Sequence, residues 1–103
     1  MSMMLTGRTV SAEEGLNLGF VNEVTKIEEL ITTAETWAQL ILDCSPTSIR
    51  TTKDVVMSGL SHADLEDAMS AKYESVNNLF KSEDFIEGPL AFSEKRKPNW
   101  TGK

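Results

Sequence analysis

The sequence predicts a mainly α fold, an array of four to five helices with at most one short strand. Three observations carry that expectation. Ile27, Leu30, Ile31, Ala34, Trp37, Ala38, Ile41 and Leu42 recur at i, i+3, i+4, i+7 spacing, the pattern of an amphipathic helix. A second stripe runs through Leu65, Ala68, Met69, Tyr73, Val76, Leu79 and Phe80. Around both stripes stand residues that start helices, such as Ser11, Ser45-Pro46 and Ser82, and glycines that stop them.

Taken in order, Ser11-Ala12-Glu13-Glu14 reads as a capping box, in which Ser11 accepts from the Glu14 amide and Glu14 reaches back to the cap. Gly19 ends this helix after two turns. Phe20-Val21-Asn22-Glu23-Val24 alternates apolar and polar residues, as a short strand or an extended connector does. The helix from Ile27 to Leu42 follows. Ser45-Pro46 stops it, because proline disfavours helical geometry at the preceding residue and suits a new first turn. A third helix runs from Pro46 to Ser58, with Ile49, Thr52, Val56 and Leu60 on one face and Gly59 closing it. Ser61 or Asp64 opens a fourth, long helix reaching Phe80. Ser82 then caps a short turn, Gly88-Pro89 punctuates, and Leu90-Ala91-Phe92 begins a last turn or two before Lys97-Pro98.

Composition narrows the function classes. The chain has 103 residues, 16 acidic and 10 basic, for a net charge of −6. That balance argues against general binding to nucleic acid or to an anionic membrane, both of which require clustered positive charge. No segment is apolar enough to span a bilayer, and no basic-then-apolar leader opens the chain. Met3, Met4 and Leu5 are already apolar, as if the chain were entered in the middle of a larger one. Cys44 is the single cysteine and His62 the single histidine, which leaves neither an intramolecular disulfide nor a Cys/His metal site. A reducing compartment is the expectation, cytoplasmic, or an organelle matrix in a eukaryote.

Candidate chemistry is sparse. Glu13 with Glu14, Asp64 with Glu66 and Asp67, and Glu83 with Asp84 and Glu87 are carboxylate clusters. All fall in the first turns of expected helices, where the dipole favours acids, and none makes a persuasive acid/base pair. Ser61, His62 and Asp64 are too close in sequence to orient one another as a triad. Cys44 ends an apolar helical face, which predicts a buried, inert thiol. Charge is uneven, however. Residues 1–80 carry 12 acidic and 5 basic groups, net −7, whereas residues 81–103 carry 4 and 5, net +1. Lys95-Arg96-Lys97 is either a solvated helix end or a phosphate site beside an aromatic, Phe92 or Trp100.

Three ordered stretches extend this reading. They are Leu5-Thr6-Gly7-Arg8 with Ser11-Ala12-Glu13-Glu14-Gly15, then Leu18-Gly19-Phe20-Val21-Asn22-Glu23-Val24, then Glu87-Gly88-x-x-Ala91-Phe92-x-Glu94-Lys95-Arg96-Lys97-Pro98. Ser45-Pro46 and Lys53 fit between them. Together they resemble the C-terminal part of the crotonase superfamily, the enoyl-CoA hydratases and isomerases, over residues 3–103. Gly15 stands where that family more often has Ala, and Phe20 where Leu is usual. Gly15 is expected to weaken its helix by roughly 1 kcal/mol relative to Ala.

The resemblance implies the helical C-terminal region of the crotonase fold. Residues 1–24 would be the end of the core, a capped short helix plus an extended segment, and residues 25–103 a helical trimerisation and lid region. The oxyanion amides and catalytic glutamates of the family would lie in an N-terminal core absent from this sequence, so no catalytic residue is assigned and the chain alone is expected to be inactive. The parent would be a lyase hydrating 2-enoyl-CoA thioesters, with no cofactor, no metal, a coenzyme A thioester as substrate, and a trimer or dimer of trimers as assembly. Matching by position, Phe92 and Lys95 stand where the family sets an aromatic and a lysine against CoA, with Arg96 a further candidate. The stretch from Ser82 to Phe92 is also similar to carnitinyl-CoA dehydratase-like members. An isomerase, or a stand-alone helical interaction module without catalysis, is the alternative.

Overall fold

The computed structural model describes residues 2–103. Among them there is no strand. The helices are α1 (Ser2–Thr6), α2 (Ala12–Asn17), α3 (Leu30–Leu42), α4 (Pro46–Gly59), α5 (Leu65–Ser70), α6 (Glu74–Lys81) and α7 (Glu83–Ser93), with a 3-10 turn over Ile27–Glu29 leading into α3. They fall into two compact units, Met1–Trp37 and Ala38–Lys103, and the boundary lies inside α3.

In the first unit, Ser11 caps α2 through the Glu14 amide at 3.1 Å. The other half of the capping box does not form. Glu14 instead takes a two-pronged ion pair from Arg8, at 2.7 and 3.1 Å, because the guanidinium offers its carboxylate two charged donors. α2 ends in a Schellman motif: the Phe20 amide donates to Gly15 O (3.2 Å) and the Gly19 amide to Leu16 O (3.1 Å). Gly19 has φ +83°, the left-handed geometry that glycine adopts without Cβ strain. The residues after it are the extended connector rather than a strand. Trp37, at the far side of this unit, donates its indole N–H to Glu23 at 2.7 Å.

Gly15 is buried, and the motif folds Phe20 and Val21 back over it. A Cβ at position 15 would lie 2.8 Å from Val21 Cγ2 and 3.0 Å from the Phe20 ring. Gly15 and Phe20 are therefore complementary, a small residue under a large one. The expected penalty for Gly15 in the helix is offset by the ring that its missing methyl admits.

The second unit is built on α4, α6 and α7. Ser45 caps α4 through the Ser48 amide (3.1 Å), with Pro46 in its first turn. The face of α4 that packs inward is not its apolar stripe. Thr51 is buried and donates to Ser75 O on α6 at 3.1 Å, while Val56 and Leu60 are exposed. Small polar side chains let the two helices approach, and the stripe of larger residues is left in solvent.

The expected long fourth helix breaks into α5 and α6, because Ala71 and Tyr73 take extended backbone angles. Neither glycine nor proline marks the break. Tyr73 causes it through tertiary contacts: its hydroxyl donates to Ala68 O at 2.7 Å, at the frayed end of α5, and its ring meets His62 edge-on. Conversely, α7 runs straight through Gly88-Pro89, which were expected to interrupt it. A residue before proline resists the helical region partly because of its Cβ, and glycine has none. The same vacancy lets the Trp100 ring approach to 3.4 Å of where a Cβ would stand.

Asp84, 3% exposed, gathers the elements of this unit. Its Oδ2 accepts from Ser45 Oγ (2.6 Å) and Thr47 Oγ1 (3.1 Å) at the start of α4. Its Oδ1 accepts from the Thr101 and Gly102 amides at 2.9 and 3.1 Å. Burial pushes this carboxyl upward, but Ser45, the Thr101 and Gly102 amides and Thr47 outweigh it and hold the pKa well below the ordinary carboxylate range. The C-terminal tail is further pinned by Arg50 to Gly102 O (2.7 Å), the Glu83 amide to Lys103 O (2.8 Å) and the Trp100 indole to Asp43 O (2.9 Å).

Apolar burial is slight. Ala91 is the one fully buried apolar side chain among the described residues, whereas Leu40, Ile41, Leu65 and Met69 are exposed. Cys44 is exposed too, contrary to expectation, because the face of α3 that it continues is uncovered.

Two outcomes follow. Gly15→Ala alone should lose stability despite its better helix propensity, and adding Phe20→Leu should recover it. A double-mutant cycle by urea unfolding, with a coupling of about 1 kcal/mol, checks this. Asp84→Ala should cost about 2–4 kcal/mol, since it strands three hydroxyls and two amides. Because the folded pKa of Asp84 is depressed, its contribution is complete above the ordinary carboxylate pKa and fades as pH falls below it. Wild type should therefore lose Tm on acidification below about pH 4, and Asp84→Asn should flatten that dependence.

Candidate functional site

The residues singled out in the basic stretch, Phe92, Lys95 and Arg96, meet at the C-terminal end of α7. The helix stops in a second Schellman motif, with the Lys95 amide on Phe92 O (3.2 Å) and the Arg96 amide on Ala91 O (3.1 Å). The left-handed position that closes it holds lysine in place of the usual glycine. Lys95 has φ +55°, the single positive φ at a non-glycine among the described residues. For a side chain with a Cβ this conformation costs about 1 kcal/mol.

Phe92, one turn earlier, is 86% exposed. Lys95 is exposed as well, and among the described residues its ammonium makes no ion pair. An uncovered aromatic and a free cation thus sit three residues apart in sequence at a helix end. A planar ring and a mobile point charge suit a ligand that joins an aromatic base to phosphate.

Arg96 is differently placed. Its guanidinium grips Glu87 with both terminal nitrogens, at 2.6 and 2.9 Å, and Nε donates to Glu94 at 2.6 Å. Glu87 Oε1 also accepts the Asn99 amide at 2.6 Å. The Arg96 bonds and then the Asn99 amide draw the Glu87 pKa down to about 2. The bonds to Glu87 and Glu94 raise that of Arg96. Trp100, the other aromatic considered for this site, is committed to packing through Asp43 and Gly88.

Sequence reasoning did not find the roles of Asp84 and Glu87. Both lie in the first turns of α7 and look like ordinary dipole-favoured acids. A groove of about 1100 Å³ also opens between α4, α5 and α6, lined by Val55, Leu60, Leu65, Met69 and Tyr73. Its lining includes His62 and Asp64 but none of Phe92, Lys95 and Arg96. No helix among the described residues is long and apolar enough to cross a membrane, and no group of three or more metal-ligating side chains occurs among them.

The profile of the enoyl-CoA hydratase/isomerase family matches residues 1–103. The chain belongs to that family. Carnitinyl-CoA dehydratase of Escherichia coli is 38% identical over 98% of this chain and 40% of its own length. A short-chain enoyl-CoA hydratase from Novosphingobium aromaticivorans superposes with a TM-score of 0.88 at 36% identity, over 99% of this chain and 40% of that one. An enoyl-CoA hydratase from Mycobacterium marinum gives 0.88 at 31%, covering 100% and 40%. The chain thus spans about two fifths of the length of the relatives it matches. Its mainly α architecture is that of the C-terminal region of the crotonase fold, as the ordered motifs implied.

In this crotonase-family chain the strain at Lys95 has a measurable consequence. Lys95→Gly should raise stability by about 1 kcal/mol, read as a higher urea midpoint, by relieving the left-handed backbone.

Proposed function

We propose that this chain is the assembly and active-site-covering part of an enoyl-CoA hydratase-like enzyme that hydrates 2-enoyl-CoA thioesters. The observation that carries the reading is the uncovered pair Phe92 and Lys95 at the end of α7, on a chain whose apolar helical faces are largely in solvent. The ring would lie against the adenine of coenzyme A and the ammonium beside its phosphates, with Arg96 holding the turn. The exposed stripes of α3, α4 and α5 would pack on the remainder of the subunit and on neighbouring copies, in a trimer or dimer of trimers. Residues 1–24 would then end the core and residues 25–103 form the helical lid. No cofactor is called for. The chemistry would be an oxyanion hole stabilising an enolate while carboxylates exchange protons with water and the α-carbon. Those groups belong to the core, so this chain alone would not turn over substrate.

A dehydratase acting on carnitinyl-CoA is the second reading, favoured by the 38% identity to that enzyme of Escherichia coli. Both readings share the prediction for the isolated chain. Exposed apolar faces of this extent should drive concentration-dependent oligomers and binding of a hydrophobic dye. Sedimentation that gives a monomer at all concentrations, with no dye binding, would rule out the assembly role.

A further inference from the structure

One carboxylate controls the geometry of the candidate ligand-binding turn. Glu87 lies on α7 two turns before its end, and reaches both limbs of the reversal that follows: Arg96 through two bonds and the Asn99 amide through a third. Between those limbs sits Lys95, in a left-handed conformation that its own side chain disfavours. The Schellman bonds of the Lys95 and Arg96 amides hold this conformation from the helix side, and the Glu87 bonds hold it from beyond the turn. Glu94 adds a second bond to the same guanidinium. The fork-to-fork fit of Arg96 and Glu87 is specific to guanidinium and carboxylate, so neither Lys at 96 nor Gln at 87 can reproduce it.

We infer that Glu87 and Arg96 form a latch whose work is to hold Lys95, and Phe92 beside it, in the orientation that receives the adenine and phosphate portion of coenzyme A. Glu87 is a positioning residue, acting through Arg96 and the backbone of residues 94–99 and touching no ligand itself. The inference rests on the reading that Phe92 and Lys95 bind coenzyme A. It also gives Arg96 a defined part, because its charge is spent on two carboxylates and Lys95 carries the free one.

The latch makes a prediction opposite to simple electrostatics. Glu87 is a negative charge near the proposed phosphate site, so removing it should tighten coenzyme A binding if charge alone mattered. A positioning role requires the reverse. Glu87→Gln and Arg96→Lys should each weaken binding of coenzyme A to the chain about fivefold in calorimetric titration, with less effect on dephospho-coenzyme A. In a Lys95→Gly background, Glu87→Gln should have a smaller effect, since one of the two residues it positions is gone. NMR couplings and shifts of the ligand-free chain should show Lys95 leaving the left-handed region in Glu87→Gln. Arg96→Lys supplies the same measurement if the first variant folds poorly.

The inference is overturned if Lys95 keeps its positive φ in both variants, or if Glu87→Gln tightens coenzyme A binding. A Lys95→Gly chain that binds coenzyme A as well as wild type would instead defeat the parent reading of the ligand. The backbone measurement then still decides whether the latch exists.

Discussion

The second unit depends on one buried carboxylate. Asp84 forms no ion pair among the described residues; its five bonds all come from neutral donors, two hydroxyls at the start of α4 and two amides and a hydroxyl of the tail. This arrangement keeps the charge in place without a desolvated ion pair, whose own cost often cancels its gain. It also fixes three directions at once. α7 cannot shift along its axis without drawing Oδ2 away from Ser45, and the tail cannot lift without exposing Oδ1. The turn at residues 94–99 lies between those two anchor points, so its geometry is inherited from Asp84 before Glu87 refines it.

The small apolar core makes this polar scaffolding necessary. In an ordinary domain, burial of large side chains holds elements together and hydrogen bonds choose among packings. Here Ala91 is buried while Leu60, Leu65, Met69 and Phe92 are not, so polar contacts and helix caps hold much of what is fixed. The chain spans about two fifths of the length of the relatives it matches, and these apolar faces are exposed in it.

Much of the fold was legible because its signals are local. Ser11, Ser45-Pro46, Asp64 and Ser82 act within their own first turns, Gly19 acts on its own backbone, and the periodicity of α3 is a property of one helix. What could not be read depends on distant partners. Tyr73 breaks a helix because of Ala68 and His62. The buried face of α4 is chosen by α6. The candidate site divides in the same way: the Phe92–Lys95 pair was visible as a motif, whereas the Glu87 clamp needed coordinates, because an acid near a helix start looks the same whether it serves the dipole or a guanidinium nine residues on.

The two tryptophans carry a further consequence. Trp37 belongs to the first unit and gives its indole proton to the Glu23 carboxylate, whereas Trp100 belongs to the second and gives its own to a backbone carbonyl. Each compact unit therefore contains its own fluorophore, in a distinct electrostatic setting. Intrinsic emission from this chain is a two-channel signal, and replacing either indole leaves a reporter of the other unit's unfolding.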